Sequence, residues 1–161
     1  MATEPLVMDT GPLISLGRCD AFTWVQQLPF HFLIPQAVAD ELTVGRQTGY
    51  PVSVPEWIEV RALTGQQSLT FITSLDPGES AVIGLALRDS IATVGLDEWR
   101  GRRAAIALGL RVTGSLGLLG RAKHLGLVPQ VRPWVERLAK AGAWHDPALI
   151  QKFRAAFGEA P

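Results

Sequence analysis

The sequence predicts an α/β fold with a central parallel sheet, and three observations carry that prediction. Short apolar runs alternate with helical patterns along the chain, as βαβ units require. With 161 residues, of which 47% are hydrophobic, the chain is long enough for one domain with a sizeable core. This apolar content and a formal net charge of zero exclude a disordered chain.

Five apolar runs are the predicted strands, namely residues 6–8, 30–34, 57–60 (at a sheet edge), 91–96 and 110–113. Helical patterns begin near Gly11-Pro12, after Pro35, and over residues 100–108 and 116–125. Residues 45–55 are the predicted long loop, and the tail is expected to be helical. Two stripes at helical spacing predict core-facing helices there, although Trp134 and Trp144 also allow a dimer or partner surface. The stripes are Val131, Trp134, Val135 and Leu138, then Leu149, Ile150, Phe153 and Phe157.

The composition also restricts the setting of the protein. A single cysteine, Cys19, excludes an intramolecular disulfide framework and suits a reducing cytoplasm. We expect no signal peptide and no membrane span, because the start lacks a basic region and the longest charge-free stretch contains polar residues. Residues 1–98 hold 4 basic and 12 acidic residues, whereas residues 99–161 hold 11 basic and 3 acidic ones. This asymmetry suggests an acidic site beside a basic surface, or simply helices that carry solvated charges.

Two acidic residues follow predicted strands. Asp9 ends the first strand and Asp97 the fourth, with Glu98 next to it. Ligands of open α/β sheets bind beyond the carboxyl ends of strands, so these positions suit a site. The structural alternative is that each aspartate caps the helix that follows it, near Arg100 in the case of Asp97.

Two more acidic residues lie on helices. Helical spacing places Glu41, but not Asp40, on the same face as apolar neighbours, although Glu41 could also border that face and reach water. Asp76 and Glu79 fit a capping box with proline between them, which is a sufficient structural explanation. The same spacing turns Glu79 toward the apolar face, so both roles can coexist.

Four carboxylates in one cleft would repel each other and raise each other's pKa. Hard divalent cations relieve this repulsion, and Mg²⁺ or Mn²⁺ prefers oxygen ligands. The pattern therefore suggests metal-assisted phosphodiester hydrolysis. The chain has no nucleotide-binding glycine motif, and its three histidines lack metal-ligand spacing. A phospho-receiver is the alternative from another class, suggested by Ser115 and Lys123 but weakened by the lack of paired acids after the first strand. Ser115 is otherwise expected to be a helix N-cap.

Four blocks of the sequence resemble the PIN-domain family, and in particular small prokaryotic PIN proteins related to VapC-type toxins. The blocks are LVMDTGPLISLGR, IPQAVADELT, LDPGESAVIGLAL and GLDEWRGRRAAIALGLRVTGSLGLLGRAKHLGLV. The resemblance runs from Leu6 to Val128. It implies a three-layer α/β/α sandwich with a nuclease domain over residues 1–128 and a helical extension, residues 129–161, packed on the same domain.

The resemblance also implies a metal-dependent ribonuclease, as part of a toxin–antitoxin pair. Asp9, Glu41, Glu79 and Asp97 match the family's acidic positions, which implies that they are the catalytic residues and the ligands of Mg²⁺ or Mn²⁺. The segment GLDEWRGRR departs from the Thr-x-Asp pattern of many relatives, so the fourth acid is Asp97 or Glu98, and a degraded, non-catalytic RNA- or protein-binding module is the alternative. RNA, a cognate antitoxin and a second copy of the chain are the expected partners. Five basic residues near the acidic strand end are expected to contact the RNA backbone: Arg100, Arg102, Arg103, Arg121 and Lys123.

Overall fold

The computed structural model describes residues 2–47, 52–63 and 75–159, and these residues form five strands and eight helices. The strands are β1 (Glu4–Met8), β2 (Phe30–Pro35), β3 (Glu59–Arg61), β4 (Thr93–Gly95) and β5 (Arg111–Thr113). The helices are α1 (Thr10–Arg18), α2 (Phe22–Val25), α3 (Gln36–Gln47), α4 (Pro77–Arg88), α5 (Trp99–Ala107), α6 (Ser115–His124), α7 (Arg132–Lys140) and α8 (Pro147–Ala156).

The strands form one parallel sheet in the order β3-β2-β1-β4-β5, and helices cover it in an α/β/α sandwich. The predicted fold class is therefore confirmed. The last three residues of β1 and all of β4 are buried, as expected where helices cover both faces of a parallel sheet. The strand order reverses between β1 and β4, so the connections after β1 and β4 run toward opposite edges and leave a crevice at the carboxyl ends of these strands.

The third strand was predicted too early. Residues 56–58 form a turn, and β3 begins at Glu59, although it lies at a sheet edge as expected. Trp57 packs edge-on against Phe22 and Phe32, with ring centroids 5.5 and 5.3 Å apart, so its burial comes from aromatic contacts rather than from strand alternation. The predicted loop of residues 45–55 is partly helical, because α3 continues to Gln47, and its residues 48–51 lie outside the described ranges.

The tail contributes to the same hydrophobic core as the sheet. Val131 and Leu138 of the first stripe are fully buried, and Trp134 packs edge-on against Trp24 at 5.7 Å. Trp134 is therefore a packing residue, whereas Trp144 is 81% exposed. In α8 the second stripe is only partly buried. No helix in the described part of the chain is long and apolar enough to cross a membrane.

Candidate active site

Asp9 lies where β1 ends, in the crevice at which the strand order reverses. Its backbone N–H donates to the carbonyl of Gly95 at 2.9 Å, which fixes the aspartate between β1 and β4. Asp9 occupies the N-cap position of α1, but its side chain makes no capping hydrogen bond. The capping explanation for this residue is therefore not supported, and the residue is only 5% exposed.

The electrostatic surroundings of Asp9 are acidic. Its pKa is raised from 3.8 to about 7, mainly by burial and in addition by the charges of Asp76, Glu41 and Glu79, whereas a hydrogen bond from the N–H of Thr10 lowers it. Because like charges act strongly only over short distances, these four carboxyl groups share one region of the molecule. Three of the four predicted acids are thus brought together, with Asp76 as an additional member.

Glu41 reaches this region from α3. Its Oε2 accepts a hydrogen bond of 2.5 Å from the hydroxyl of Thr10, which joins α3 to the first residue of α1. Its Oε1 lies so close to α4 that a Cβ added at Gly78 would be 2.5 Å away. Asp40, by contrast, is exposed and accepts from Gln36, so helical spacing correctly separated the two acids.

Glu79 combines the two roles that its sequence position allowed. Its backbone N–H donates to Asp76 Oδ1 at 2.8 Å, and its Oε2 accepts from the Asp76 N–H at 3.3 Å, which completes the predicted capping box. The residue is nevertheless buried, with 5% of its surface exposed. Burial raises the pKa of Glu79, and the charges of Asp76, Glu98 and Glu41 add to this effect.

Asp97 is held differently from the other three acids. Its Oδ1 accepts from the backbone N–H of Ser115 at 2.8 Å, and its Oδ2 accepts from the Ser115 hydroxyl at 2.5 Å. Asp97 therefore binds the start of α6 and not, as the structural alternative proposed, the start of α5. Ser115 is the first residue of α6 rather than its N-cap, which is Gly114. Arg102 lies beside this pair and donates to the Leu96 carbonyl at 2.7 Å.

Glu98 lies close to Glu79, and its charge is one of those that raise the pKa of that residue. It occupies the N-cap position of α5 without a side-chain capping bond, and it lines an open cavity of about 440 Å³. Asp76, Glu79, Trp99 and Arg100 complete the lining. Sequence reasoning missed Asp76 and Trp99 as site residues, because the capping motif fully accounted for the first and no pattern singled out the second.

The basic residues divide into two groups. Arg100 lines the cavity and Arg103 lies over the ring of Trp99, so both are close to the acidic residues. Arg121 and Lys123 lie in the last turn of α6, and Lys123 donates to the carbonyl of Pro129 at 2.6 Å. That the five basic residues contact the RNA backbone stays a prediction.

The acidic side chains of this site carry the kind of ligand atom, carboxylate oxygen, that a hard divalent cation prefers. Asp9, Glu41 and Glu79 offer carboxylate oxygens, and the charges of the two glutamates raise the pKa of Asp9, which is the repulsion that a cation relieves. In the described ranges, no three His, Cys, Asp or Glu side chains are arranged so that they could hold a metal ion as they stand. Two of the acids are engaged instead: Glu41 with Thr10, and Glu79 with Asp76.

A parallel α/β sandwich with acidic side chains in the crevice where the strand order reverses, here called the switch point, defines a class of candidate hydrolases. A family model for the PIN domain matches residues 5–159, and the chain belongs to that family, whose members are generally nucleases. The match extends past the residues that carried the resemblance and includes α7 and α8. No curated protein matches the chain.

Proposed function

We propose that this protein is a metal-dependent endoribonuclease that hydrolyses RNA phosphodiester bonds. The observation that carries the proposal is the burial of Asp9 among the charges of Asp76, Glu41 and Glu79 at the switch point of the sheet. Uncompensated buried carboxylates are costly, so a fold that gathers them favours a cationic ligand there. The membership in a family of nucleases supports the same reaction class.

Asp9, Glu41 and Glu79 would hold the ion in this proposal. The Thr10 hydroxyl keeps Glu41 directed at the start of α1, and Asp76 keeps Glu79 at the start of α4. Bound Mg²⁺ or Mn²⁺ would supply an activated water and neutralise charge on the phosphate. Arg100, in the same cavity, would bind a neighbouring phosphate.

The proposal predicts that Asp9→Asn abolishes cleavage. With Mn²⁺ and a labelled RNA, we expect the rate to fall by roughly a hundredfold or more, because several kcal/mol of metal-derived stabilisation would be lost. Asp40→Asn is the matched control, because Asp40 is an exposed neighbour of Glu41 on α3. Equal activity of Asp9→Asn and the wild-type protein would contradict the proposal.

The fourth acid in this proposal is Asp97 or Glu98. Asp97 matches the family position but is bound to Ser115, whereas the charge of Glu98 acts on Glu79. The same assay on Asp97→Asn and Glu98→Gln separates them. If Asp97 only anchors the start of α6, Asp97→Asn should lose stability as well as activity.

The toxin role is a further part of the proposal, supported by the resemblance to VapC-like proteins. It includes a cytoplasmic location, a homodimer and a cognate antitoxin encoded by a neighbouring reading frame. Expression of this chain alone should arrest growth, and co-expression of the neighbouring product should relieve the arrest. Light scattering on the purified chain tests the dimer.

A catalytically degraded RNA- or protein-binding module is the second candidate. Two observations favour it: in the portion of the chain that is described, no three His, Cys, Asp or Glu side chains are already arranged for a metal, and Asp97 accepts a hydrogen bond from Ser115. Calorimetry with Mn²⁺ discriminates between the candidates. Absence of binding at millimolar metal supports the module, and saturable binding that requires Asp9 supports the nuclease.

A further inference from the structure

A second cavity lies at the far end of α1 from Asp9. Arg18 ends α1, nine residues after Asp9, so the rise of the helix separates the two by roughly 13 Å along its axis. The cavity has a volume of about 380 Å³, which suits a small ligand. Its lining, here called the basic cavity, shares no residue with the acidic site and consists of Arg18, Cys19, Asp20, Arg137, Lys140 and Ala141.

The positive charge of the basic cavity exceeds what the helix ends around it require. Three cations and one acid, Asp20, line it, so their formal charge is +2. Cations in the last turn of a helix ordinarily offset its dipole, and both α1 and α7 end here, at Cys19 and Ala141. Each helix end carries about half a negative charge, so the two ends together offset about one unit. About one positive charge is therefore left without a counterpart among the described residues of the lining.

Two of the three cations are placed to receive an anion. The guanidinium of Arg137 lies over the ring of Trp134, 4.6 Å from its centroid, and this contact orients it. Lys140 follows three residues later on α7, and therefore on the same face as Arg137. Neither cation forms an ion pair within the described ranges, not even with Asp20 in the same lining. Their charges are therefore available to a ligand.

The thiol of Cys19 adds no negative charge to the basic cavity. Burial raises its pKa from the ordinary 9.0, although the charge of Arg137 acts in the opposite direction. A thiol with a raised pKa is uncharged at neutral pH, so it does not neutralise the cations beside it. The effect of Arg137 on this thiol also shows that its positive charge acts on the wall of the cavity.

We propose that the basic cavity binds a small anion with two linked phosphate groups, such as pyrophosphate or the diphosphate of a nucleotide. Guanidinium groups bind phosphate oxygens in pairs, and an ammonium group adds a compact charge. A diphosphate brings several negative charges into a small volume, whereas acidic peptides and RNA spread theirs along a chain. The inference does not depend on the proposed nuclease function, because the basic cavity and the acidic site have no residue in common.

Calorimetry of the full-length chain with sodium pyrophosphate tests the proposal. EDTA is present, because it removes divalent cations that could hold pyrophosphate at the acidic residues. We expect saturable binding, which Arg137→Gln and Lys140→Gln should each weaken by roughly tenfold, as for loss of a charged hydrogen bond. Asp20→Asn should tighten it several-fold, because it removes the acid of the lining and asparagine tolerates the φ of 61° at this position. Adenosine diphosphate is titrated in parallel: tighter binding than pyrophosphate identifies a nucleotide as the ligand, and weaker binding identifies a free oligophosphate.

Arg132→Gln is the matched control. Arg132 is the first residue of the same helix, its side chain is 60% exposed, and it does not line the basic cavity. Three results would overturn the proposal: no saturable binding of either diphosphate by the wild-type chain, unchanged affinity in both Arg137→Gln and Lys140→Gln, or an equal loss in Arg132→Gln. Tighter binding of a polyglutamate peptide or of RNA that requires Lys140 would also overturn it, because the cavity would then serve a macromolecule.

Discussion

At the scale of single residues, Asp9 is a buried acid in unfavourable electrostatic surroundings. It is 5% exposed, and its pKa is raised to about 7 by burial and by three neighbouring acids. Its place after the first apolar run was predictable from the sequence. The value of its pKa was not, because Asp76 and Glu79 are separated from it by more than sixty residues along the chain. Such a group destabilises the metal-free protein whenever it is ionised.

We predict that Asp9→Asn stabilises the protein in EDTA at high pH. The folded-state pKa of about 7 exceeds the ordinary value of 3.8, so the folded state binds the proton more tightly than the unfolded state. Stability should therefore fall as the pH rises from about 4 to about 7, by on the order of a few kcal/mol, and stay low above that range. Asparagine does not ionise, so the variant should melt several degrees higher above pH 7 and show no difference below about pH 4. A variant that melts lower than the wild-type protein at high pH would argue against this view of Asp9.

At the scale of elements, local signals located most helices and strands to within one or two residues. The Asp76–Glu79 capping box fixed the start of α4, because its two hydrogen bonds lie within four residues of chain. The approach of α3 to α4 has no such local signal. Glu41 lies against Gly78 because both helices pack on the same sheet, and a Cβ at position 78 would lie 2.5 Å from Glu41 Oε1 in its present position.

We predict that Gly78→Ala displaces Glu41 but leaves the fold intact. The group in the way is the end of a flexible side chain, and alanine favours a helix by up to about 1 kcal/mol over glycine, so the melting temperature should be unchanged or slightly raised. Affinity for Mn²⁺ and the cleavage rate should each fall by roughly tenfold or more, as for loss of an oriented ligand. Gly11→Ala is the control, because Gly11 is the second residue of α1, as Gly78 is of α4, and its added Cβ meets nothing within 4 Å. Equal effects of the two substitutions on Mn²⁺ affinity would count against the proposed role of Glu41.

At the scale of the whole molecule, the C-terminal tail belongs to the packing of the sandwich. Leu138 of α7 is fully buried in the common core. The carboxylate of Glu159 accepts from the N–H groups of Val131 and Arg132, at 2.8 and 2.9 Å, and thereby ties the end of the chain to the start of α7. From the burial of Leu138 in the common core, we propose that residues 129–161 pack on the domain formed by residues 1–128.

We predict that the two tail leucines differ in their effect on stability. Leu138→Ala should lower the free energy of unfolding by about 2–5 kcal/mol, because it leaves a cavity in the core. Leu149→Ala should change it by less than about 0.5 kcal/mol, because Leu149 is 51% exposed. Urea unfolding followed by circular dichroism measures both. A small effect of Leu138→Ala would mean that the tail does not share the core of the domain.

The sequence by itself determined the parallel α/β class, the acids that follow the first and fourth strands, and the inward face of α3, since each depends on residues a few positions apart. The tertiary structure decided which of these acids meet. It tied Asp97 to Ser115, placed Asp76 and Glu98 near Glu79, and set Trp99 at the mouth of their cavity. The physical reason is that strand order, which local patterns do not encode, determines which strand ends become neighbours and therefore which charges interact.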